Sequence, residues 1–542
     1  MQQRFLRHHP LLRLALPLSL ASCAVGPNYH RPTAPTPAAY GETQGWKPAD
    51  PRQVASGAAW WSIYNDPELD ALERQIDVSN QNLKAAEANY LAARAAVGVD
   101  RGSLLPTVGL TGDYSRSGSD SSGTQTTTTI GSTQFTSGSS SSSSKTSNIS
   151  NIYSAGASAS WEVDVWGRIR RTVESDVAKA QASAADIAAA RLSAQATLAQ
   201  DYFNLRAADE EKRLLATSIE AFKTSLTITE NRVKAGVTTL ADVYTARTQL
   251  ENAQAELVGV DQSRDQYEHA IAVLIGKPPS ELHLAVTGFP TDVPVVPTGM
   301  PSTLLERRPD IAADERSMAA ANAEIGVAEA AWFPSLTLSA SYGFTSSALS
   351  KLFEVNNSLW SLGPQLAETL FDGGARRAQT AEARANYDAA VATYRETVLT
   401  AFQQVEDDLA SLRVLQDQWS LQNTAVMDAR RSEELTLNQY KAGVDDYSSV
   451  ITAQTTRLTS EISLLTIQSQ RLVASVNLIT ALGGGWSGDL LPQPGHFYSL
   501  DKTVAEAPPT AASAAPASTP AAAVSPATVP APAASAAPAA AP

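Results

Sequence analysis

The sequence predicts an internally duplicated, mixed α/β membrane protein in which short strands feed very long helices. Three observations predict it. The chain repeats itself at a fixed offset, it carries four alternating segments that are too few to close a barrel, and two helical stretches are far longer than a globular domain requires.

The repeat is read directly. Lys234-Ala235-Gly236-Val237 recurs as Lys441-Ala442-Gly443-Val444, and at the same offset of 207 positions Asn204-Leu205-Arg206 matches Ser411-Leu412-Arg413. Leu274-Ile275-Gly276 likewise matches Ala481-Leu482-Gly483. A register held over such a distance marks a duplicated unit. Upstream, Gly167-Arg168-Ile169-Arg170-Arg171 corresponds to Gly373-Gly374-Ala375-Arg376-Arg377, and Leu105-Pro106 to Phe333-Pro334. Each half runs helix, Pro, strand, loop, strand, Gly-Arg turn, very long helix, Ala-Gly turn, helix.

Composition narrows the class. Charged residues are 18% of the 542, and Ala, which suits closely packed long helices, is abundant. A formal net charge of −14 with no basic stripe argues against nucleic acid as a partner. The one cysteine, Cys23, excludes an intramolecular disulfide. It ends a targeting segment: Arg4, Arg7 and Arg13, an apolar stretch Leu14 to Leu20, then Leu20-Ala21-Ser22-Cys23. Pro17 interrupts that stretch, which is too short to span a bilayer. The tetrapeptide resembles the bacterial lipobox, which predicts a signal peptide over 1–22 and covalent lipid on Cys23. Ala24 follows where an Asp would favour inner-membrane retention, so the outer membrane is expected.

No later stretch reaches eighteen consecutive apolar residues, so a membrane crossing must be a β-barrel. Four segments alternate as barrel strands do. Val108, Leu110 and Tyr114 share one face of the first; Tyr153, Ala155, Ala157, Ala159, Trp161 and Val163 share one face of the second. Leu336, Leu338, Ala340, Tyr342 and Phe344 line the third, and Trp360, Leu362 and Leu366 the fourth, where Gly363 and Pro364 weaken the pattern. Tyr153, Trp161, Tyr342 and Trp360 are expected at the membrane interface, as aromatic girdles are. Even small barrels need about 8 strands, and an open edge in lipid leaves backbone groups unpaired at several kcal/mol each. Other copies of the chain must complete the wall. Between the first two strands, the Ser/Thr/Gly-rich stretch 118–150 has too little apolar surface to order itself; its counterpart, 346–358, is much shorter.

From Arg168 to about Arg232, and again from about Arg376 to Lys441, neither Pro nor Gly occurs. At 1.5 Å per residue the first is roughly 95 Å long. In the second, Tyr387, Val391, Tyr394, Val398, Phe402, Val405, Leu409, Leu412, Leu415 and Trp419 step by three and four, a stripe on one side of a nearly straight helix. Gly236 and Gly443 end these helices in left-handed turns, and partner helices return over about 239–274 and 448–482. Strands that feed both hairpins argue against a filamentous coiled coil.

Several motifs then resemble those of the TolC-like outer-membrane efflux proteins, in particular the lipidated subgroup serving tripartite exporters. They are Cys23-Ala24-Val25-Gly26-Pro27-Asn28-Tyr29-His30-Arg31-Pro32, Trp60-Trp61-Ser62-Ile63-Tyr64-Asn65-Asp66-Pro67-Glu68-Leu69, Trp161-Glu162-Val163-Asp164-Val165-Trp166-Gly167-Arg168-Ile169-Arg170-Arg171, Leu305-Glu306-Arg307-Arg308-Pro309-Asp310-Ile311 and Phe371-Asp372-Gly373-Gly374. The resemblance covers about residues 23 to 495. It implies a homotrimer whose 12 strands form one outer-membrane barrel, continuous with a periplasmic α-helical barrel. It also implies a passive exit duct for drugs or other small molecules, with an inner-membrane RND-type pump supplying energy and a periplasmic adaptor docking at the helical tips. No cofactor beyond the lipid on Cys23 is expected. The parts are then the signal peptide (1–22), a lipidated N-terminal segment (23–59), a first repeat (60–285), a Pro-rich equatorial connector (286–303), a second repeat (304–486), a C-terminal equatorial segment (487–504) and an Ala/Pro-rich tail (505–542), which is disordered by composition.

By this resemblance Gly236, Val237, Thr238, Gly443 and Val444, together with Asp445, form the adaptor-docking rim. Asp445 and Asp446 are candidates for the periplasmic aperture: threefold repetition would turn each into a ring of like charges that filters cations. A solvated aspartate pair is the plainer alternative. Arg168, Arg170, Arg171, Arg376 and Arg377 are expected to anchor the strand–helix junction near lipid headgroups. An enzyme is not expected. The six histidines lack metal-ligand spacing, and no phosphate-cradling loop or nucleophile elbow occurs. Alternatives are the duct of a type I protein-secretion system, which shares the architecture, and a surface adhesin.

Overall fold

The computed structural model describes residues 24–34, 36–37, 40–41, 59–119, 126–130, 133–137, 148–290, 292–294, 296 and 304–498. Cys23, the signal segment and the Ala/Pro-rich tail lie outside them. In chain order, helices α1 (Pro67–Ser79) and α2 (Gln81–Gly102) precede strand β1 (Thr107–Ser119). A small ladder of β2 (Thr126–Ile130) and β3 (Thr133–Ser137) leads to β4 (Asn148–Glu162), α3 (Arg168–Lys234) and α4 (Leu240–Leu274). The second half has α5 (Leu304–Arg307), α6 (Pro309–Ala330), β5 (Ser335–Ser346), β6 (Ser358–Ala367), α7 (Ala375–Lys441) and α8 (Tyr447–Ala481).

The duplication is literal. Helices α2 and α6 are each 22 residues, α3 and α7 each 67, and α4 and α8 each 35. Thr107 and Ser335, which open equivalent strands, lie 228 positions apart, whereas Tyr447 lies 207 after Leu240. The difference is taken up by the longer connection between β1 and β4.

Four strands form one antiparallel sheet in the order β1-β4-β5-β6. Its register gathers most of the apolar positions on a single face. Val108 opposes Ala159, which opposes Ala340, which opposes Leu362; Leu110, Ala157, Tyr342 and Trp360 form the next such row. The reverse face carries mainly Ser, Thr, Gly and Asp, with Ile152 and Leu359 as apolar exceptions, and its Ser341 and Ser361 hydroxyls lie 2.8 Å apart. The connection between β1 and β4 departs from expectation: both strands extend into it, and β2 pairs with β3 through five residue pairs. Backbone pairing alone supports such a ladder, which apolar content could not foretell.

The long helices pack in two cores. The apolar stripe on α7 is buried from Tyr394 to Leu412 against Ile311 and Met318 of α6 and Leu478 and Ile479 of α8. In the first half, Ala180, Ala185, Leu198, Ala199, Phe203 and Leu205 of α3 are fully buried. Small residues there let α2, α6 and α1 approach closely, with Leu69 and Ile76 of α1 inserted beside Ile271 of α4 and Ile275, which caps it. Among the described residues no helix is long and apolar enough to cross a membrane.

Candidate channel wall and tips

At the strand–helix junction three arginines are paired locally. Arg168 grips both carboxylate oxygens of Glu162 (2.8 and 2.9 Å), Arg170 donates to Asp164 (3.2 Å) and Arg376 to Asp372 (2.7 Å). Asp164 and Asp372 also accept backbone N–H groups at the starts of α3 and α7. The Arg376 guanidinium holds the Asp372 carboxyl down at about 2. Arg171 differs from the sequence expectation. Its side chain is buried, not turned toward a headgroup layer, and donates to the carbonyls of Val25 (3.2 Å) and Gly26 (3.1 Å) and to Asn28 Oδ1 (3.0 Å).

Arg171 thereby straps the N-terminal segment to the helices. Val25 N–H donates to the Trp166 carbonyl (2.9 Å), Asn322 to the Pro27 carbonyl (3.1 Å), and Tyr29 to Glu315 (2.6 Å). Arg31 then reaches the Tyr394 hydroxyl, and Gly41 N–H the Glu406 carboxylate. Gly26 (φ 98°) crosses Gly326 so closely that a Cβ on it would lie 2.4 Å from the Gly326 Cα. Ala24 packs on Gly167, the residue that opens α3. The segment thus runs from the sheet boundary down the outside of α6 and α7.

The C-terminal segment runs the other way. Its Pro492 carbonyl accepts from Gln181 (2.9 Å), and its Phe497 carbonyl from Arg101 at the end of α2 (3.2 Å). Residues 487–498 therefore climb toward the sheet instead of staying at mid-height.

Midway down, a charged network fastens the chain after α4. Arg206, with no exposed side-chain surface, donates to Glu68 (2.5 Å), Asp209 (3.1 Å) and the Ala285 carbonyl (2.6 Å), and its guanidinium lies 4.7 Å from the Tyr202 ring centre. Arg264 completes it through Asp209 (2.7 Å) and Glu268 (2.5 Å). In the second half Gln416 and Arg471 pair at the corresponding places. Nearby, Glu73 of α1 is fully buried with neither oxygen hydrogen-bonded. Burial, and secondly Asp77, push its carboxyl up to about 9, so it is neutral at physiological pH. Neither Arg206 nor Glu73 was singled out by sequence reasoning; a Glu within an apolar helix stripe was the available signal.

The tips close by two identical stops. Gly236 (φ 71°) and Gly443 (φ 78°) take the left-handed conformation that glycine adopts without strain. Val237 N–H returns to Arg232 O (2.9 Å) and Val444 N–H to Gln439 O (3.0 Å), the six-to-one bond of a Schellman motif. The next helices are capped with the charge displaced. In the first tip Thr239 is the N-cap, and Asp242, three residues on, accepts its N–H (3.2 Å) and the Thr238 hydroxyl. In the second, Asp446 is the N-cap and accepts Ser449 N–H (3.0 Å) and the Ser448 hydroxyl (2.6 Å). The Ser448 hydroxyl foremost holds the Asp446 carboxyl below its usual range. Asp445 accepts the Ser449 hydroxyl (2.9 Å). Val237 and Val444 are left exposed beside them.

The four expected interface aromatics fall into pairs. Tyr153 stacks on Tyr114, directly opposite, at 4.8 Å, and Tyr342 lies opposite Trp360. Trp161 donates from its indole to the Leu104 carbonyl (2.9 Å) at the end of the sheet that adjoins the helices. Trp161 and Trp360 stand within three residues of a strand end, whereas Tyr153 and Tyr342 lie inside theirs. All four are on the apolar face.

A sheet apolar on one face, polar on the other and open at both edges, continuous with paired helical hairpins, defines a segment of a membrane channel wall. The family model for outer membrane efflux proteins matches residues 72–277 and 300–484, one stretch per repeat. The chain is 30% identical over 471 residues to the probable efflux pump outer membrane protein TtgC of Pseudomonas putida, covering 86% of this chain and 93% of that one. It is 30% identical over 485 residues to outer membrane protein OprJ of Pseudomonas aeruginosa, covering 87% and 95%. The structure of the outer-membrane channel OprN superposes with a TM-score of 0.76 at 30% identity, over 86% of this chain and all of that one. This chain belongs to the outer membrane efflux protein family, and it is an outer-membrane channel component of an efflux system.

Proposed function

We propose that three copies of this chain close into a passive exit duct that releases small molecules delivered by an inner-membrane RND-type pump through a periplasmic adaptor. The observation that carries this reading is the sheet: four strands with a predominantly apolar face and two unpaired edges cannot stand in lipid without sister strands. The paired tips, each with an exposed valine beside a capped helix start, support adaptor docking at Gly236, Val237, Thr238, Gly443 and Val444. Ala24 at the opening of α3 supports lipidation of Cys23, because its acyl chains would then enter the membrane beside the sheet. Tyr153, Trp161, Tyr342 and Trp360 sit in the lipid-facing layer on this reading. The efflux-pump names of the relatives favour small molecules over a secreted protein, and no catalytic step or cofactor is invoked.

Two measurements test it. Deleting the gene is expected to sensitise the host to a panel of hydrophobic drugs; unchanged susceptibility with loss of a secreted protein would favour the type I secretion reading. In planar bilayers Asp445→Ala is expected to raise conductance and weaken cation selectivity, and an unchanged pore would remove Asp445 from the aperture. Asp446→Asn separates charge from capping, since the amide oxygen still accepts from Ser449.

A further inference from the structure

The strap marks one side of α6 as its outer side, where Glu315, Asn322 and Gly326 meet Tyr29, Pro27 and Gly26. Glu324 follows Glu315 by nine residues, and Ser317 precedes Gly326 by nine. Nine residues are two and a half helical turns, so Glu324 and Ser317 point the opposite way. That inner side is the bed of a groove of about 640 Å³, with α3 as one bank and α7 as the other. Its volume falls within the range of small-molecule sites. All of its lining comes from one chain, so no second copy is needed to complete it.

The bed is small and apolar, with Ala321, Val327 and Ala328 half-buried in it. The banks differ in charge. On α3 both cations are already matched: Arg168 by Glu162 (2.8 and 2.9 Å), and Lys179 by Glu324 (3.0 Å) and Asp176 (3.3 Å). On α7, Gln379, Glu382 and Asn386 step by three and four along one exposed face. None of these three has a hydrogen-bond or ion-pair partner among the described residues. Arg384, two residues after Glu382, is turned away to Glu329 (2.8 Å). The groove therefore offers one unmatched carboxylate, flanked by amides, beside an apolar bed.

We infer that this groove is a transit site for amphipathic organic cations, with Glu382 facing the positive group and the alanine bed taking the apolar body. The inference rests on the duct proposed above, which makes the inner side of α6 part of the lumen. Charge decides against an anion, because the cations of the groove are matched and its spare charge is negative. A bare metal ion fits no better, since the described residues hold no group of three His, Cys, Asp or Glu that could ligate one. The open side leaves part of any guest in water. Binding is then weak enough to release, as passage through a pore requires.

The test uses the full-length protein in planar bilayers, with tetraphenylphosphonium as the probe and tetramethylammonium as the same charge without the aromatic body. Tetraphenylphosphonium is expected to reduce the wild-type current saturably. Glu382→Gln changes the charge and little else, and should raise the half-blocking concentration about fivefold, the upper end for an exposed ion pair. Ala328→Phe fills the bed and should weaken the block with Glu382 still in place. Tetramethylammonium should need more to block the wild type and should be indifferent to Ala328→Phe. Native mass and current without probe are measured on each variant. Conducting pores in which neither substitution moves the block, in which only Asp445→Ala relieves it, or in which the two probes act alike would overturn the groove and leave the duct standing. Protein that never conducts would sink the duct itself.

Discussion

Arg232 of the first hairpin lies over the ring of Tyr440 of the second, its guanidinium carbon 4.4 Å from the ring centre, and donates to the Tyr440 carbonyl at 2.5 Å. The same ring reaches Thr229 through its hydroxyl (3.3 Å) and faces Tyr447 at 5.5 Å. Farther from the tips Gln454 donates to Ser225 (3.1 Å) and Arg457 to Ser218 (3.1 Å). The two hairpins of one copy are thus bound side by side near their free ends. Arg232→Ala removes a stacked cation and a carbonyl bond, together worth about 1–2 kcal/mol. Faster amide exchange confined to the residues around 225–240 and 435–450 is expected, with a larger pore conductance. Arg232→Lys, which keeps charge but not the planar stack, should fall between.

Glu73 ties stability to pH. Its folded value, about 9, stands far above the unfolded carboxylate range, so folding takes up a proton between the two. Stability therefore falls as pH rises from the usual carboxylate range to about 9, and falls no further from this cause above it. Glu73→Leu fills the same site without a carboxyl. The variant is expected to melt several degrees higher at pH 8 and to lose most of the pH dependence, read by thermal unfolding in detergent at pH 5, 7 and 9.

Removing Arg206 should be costly. Arg206→Ala strands Glu68, frees the Ala285 carbonyl and leaves Asp209 to Arg264 alone. Breaking a buried pair from one side costs roughly 3 kcal/mol or more. The melting temperature should drop, and proteolysis should open the stretch after Leu284 first, because Arg264 donates to its carbonyl.

The N-terminal strap depends on the crossing of two glycines. Gly26→Val sets a branched side chain at positive φ and against the Gly326 backbone. Protease should then release the segment up to about Gly41 while the hairpins stay intact, as mass spectrometry of the digest will show.

Much of this was legible beforehand, for reasons that differ by element. The long helices announced themselves because Pro and Gly are absent over the whole of α3 and α7, and the tips because Ala-Gly recurs at one offset. The strands could be read because one face meets lipid and the other meets Ser and Thr. The strap could not be read. Its contacts join Val25, Pro27 and Tyr29 to residues more than a hundred positions away, and such pairings leave no periodicity. Arg171 was misplaced for the same reason: among neighbouring arginines, nothing in its spacing distinguishes a buried donor from an exposed one. The β2–β3 ladder escaped because backbone pairing needs no apolar pattern.

The paired lengths of the hairpins have a consequence for how such a chain can change. With α3 equal to α7 and α4 equal to α8, both loops finish at one level. Deleting two turns, about 7 residues, from a single hairpin would retract every second finger around the ring and leave a notched mouth. Any lengthening or shortening that preserves a level rim has to happen twice in the gene, at matched places, so the reach of the tube is locked by its own internal echo.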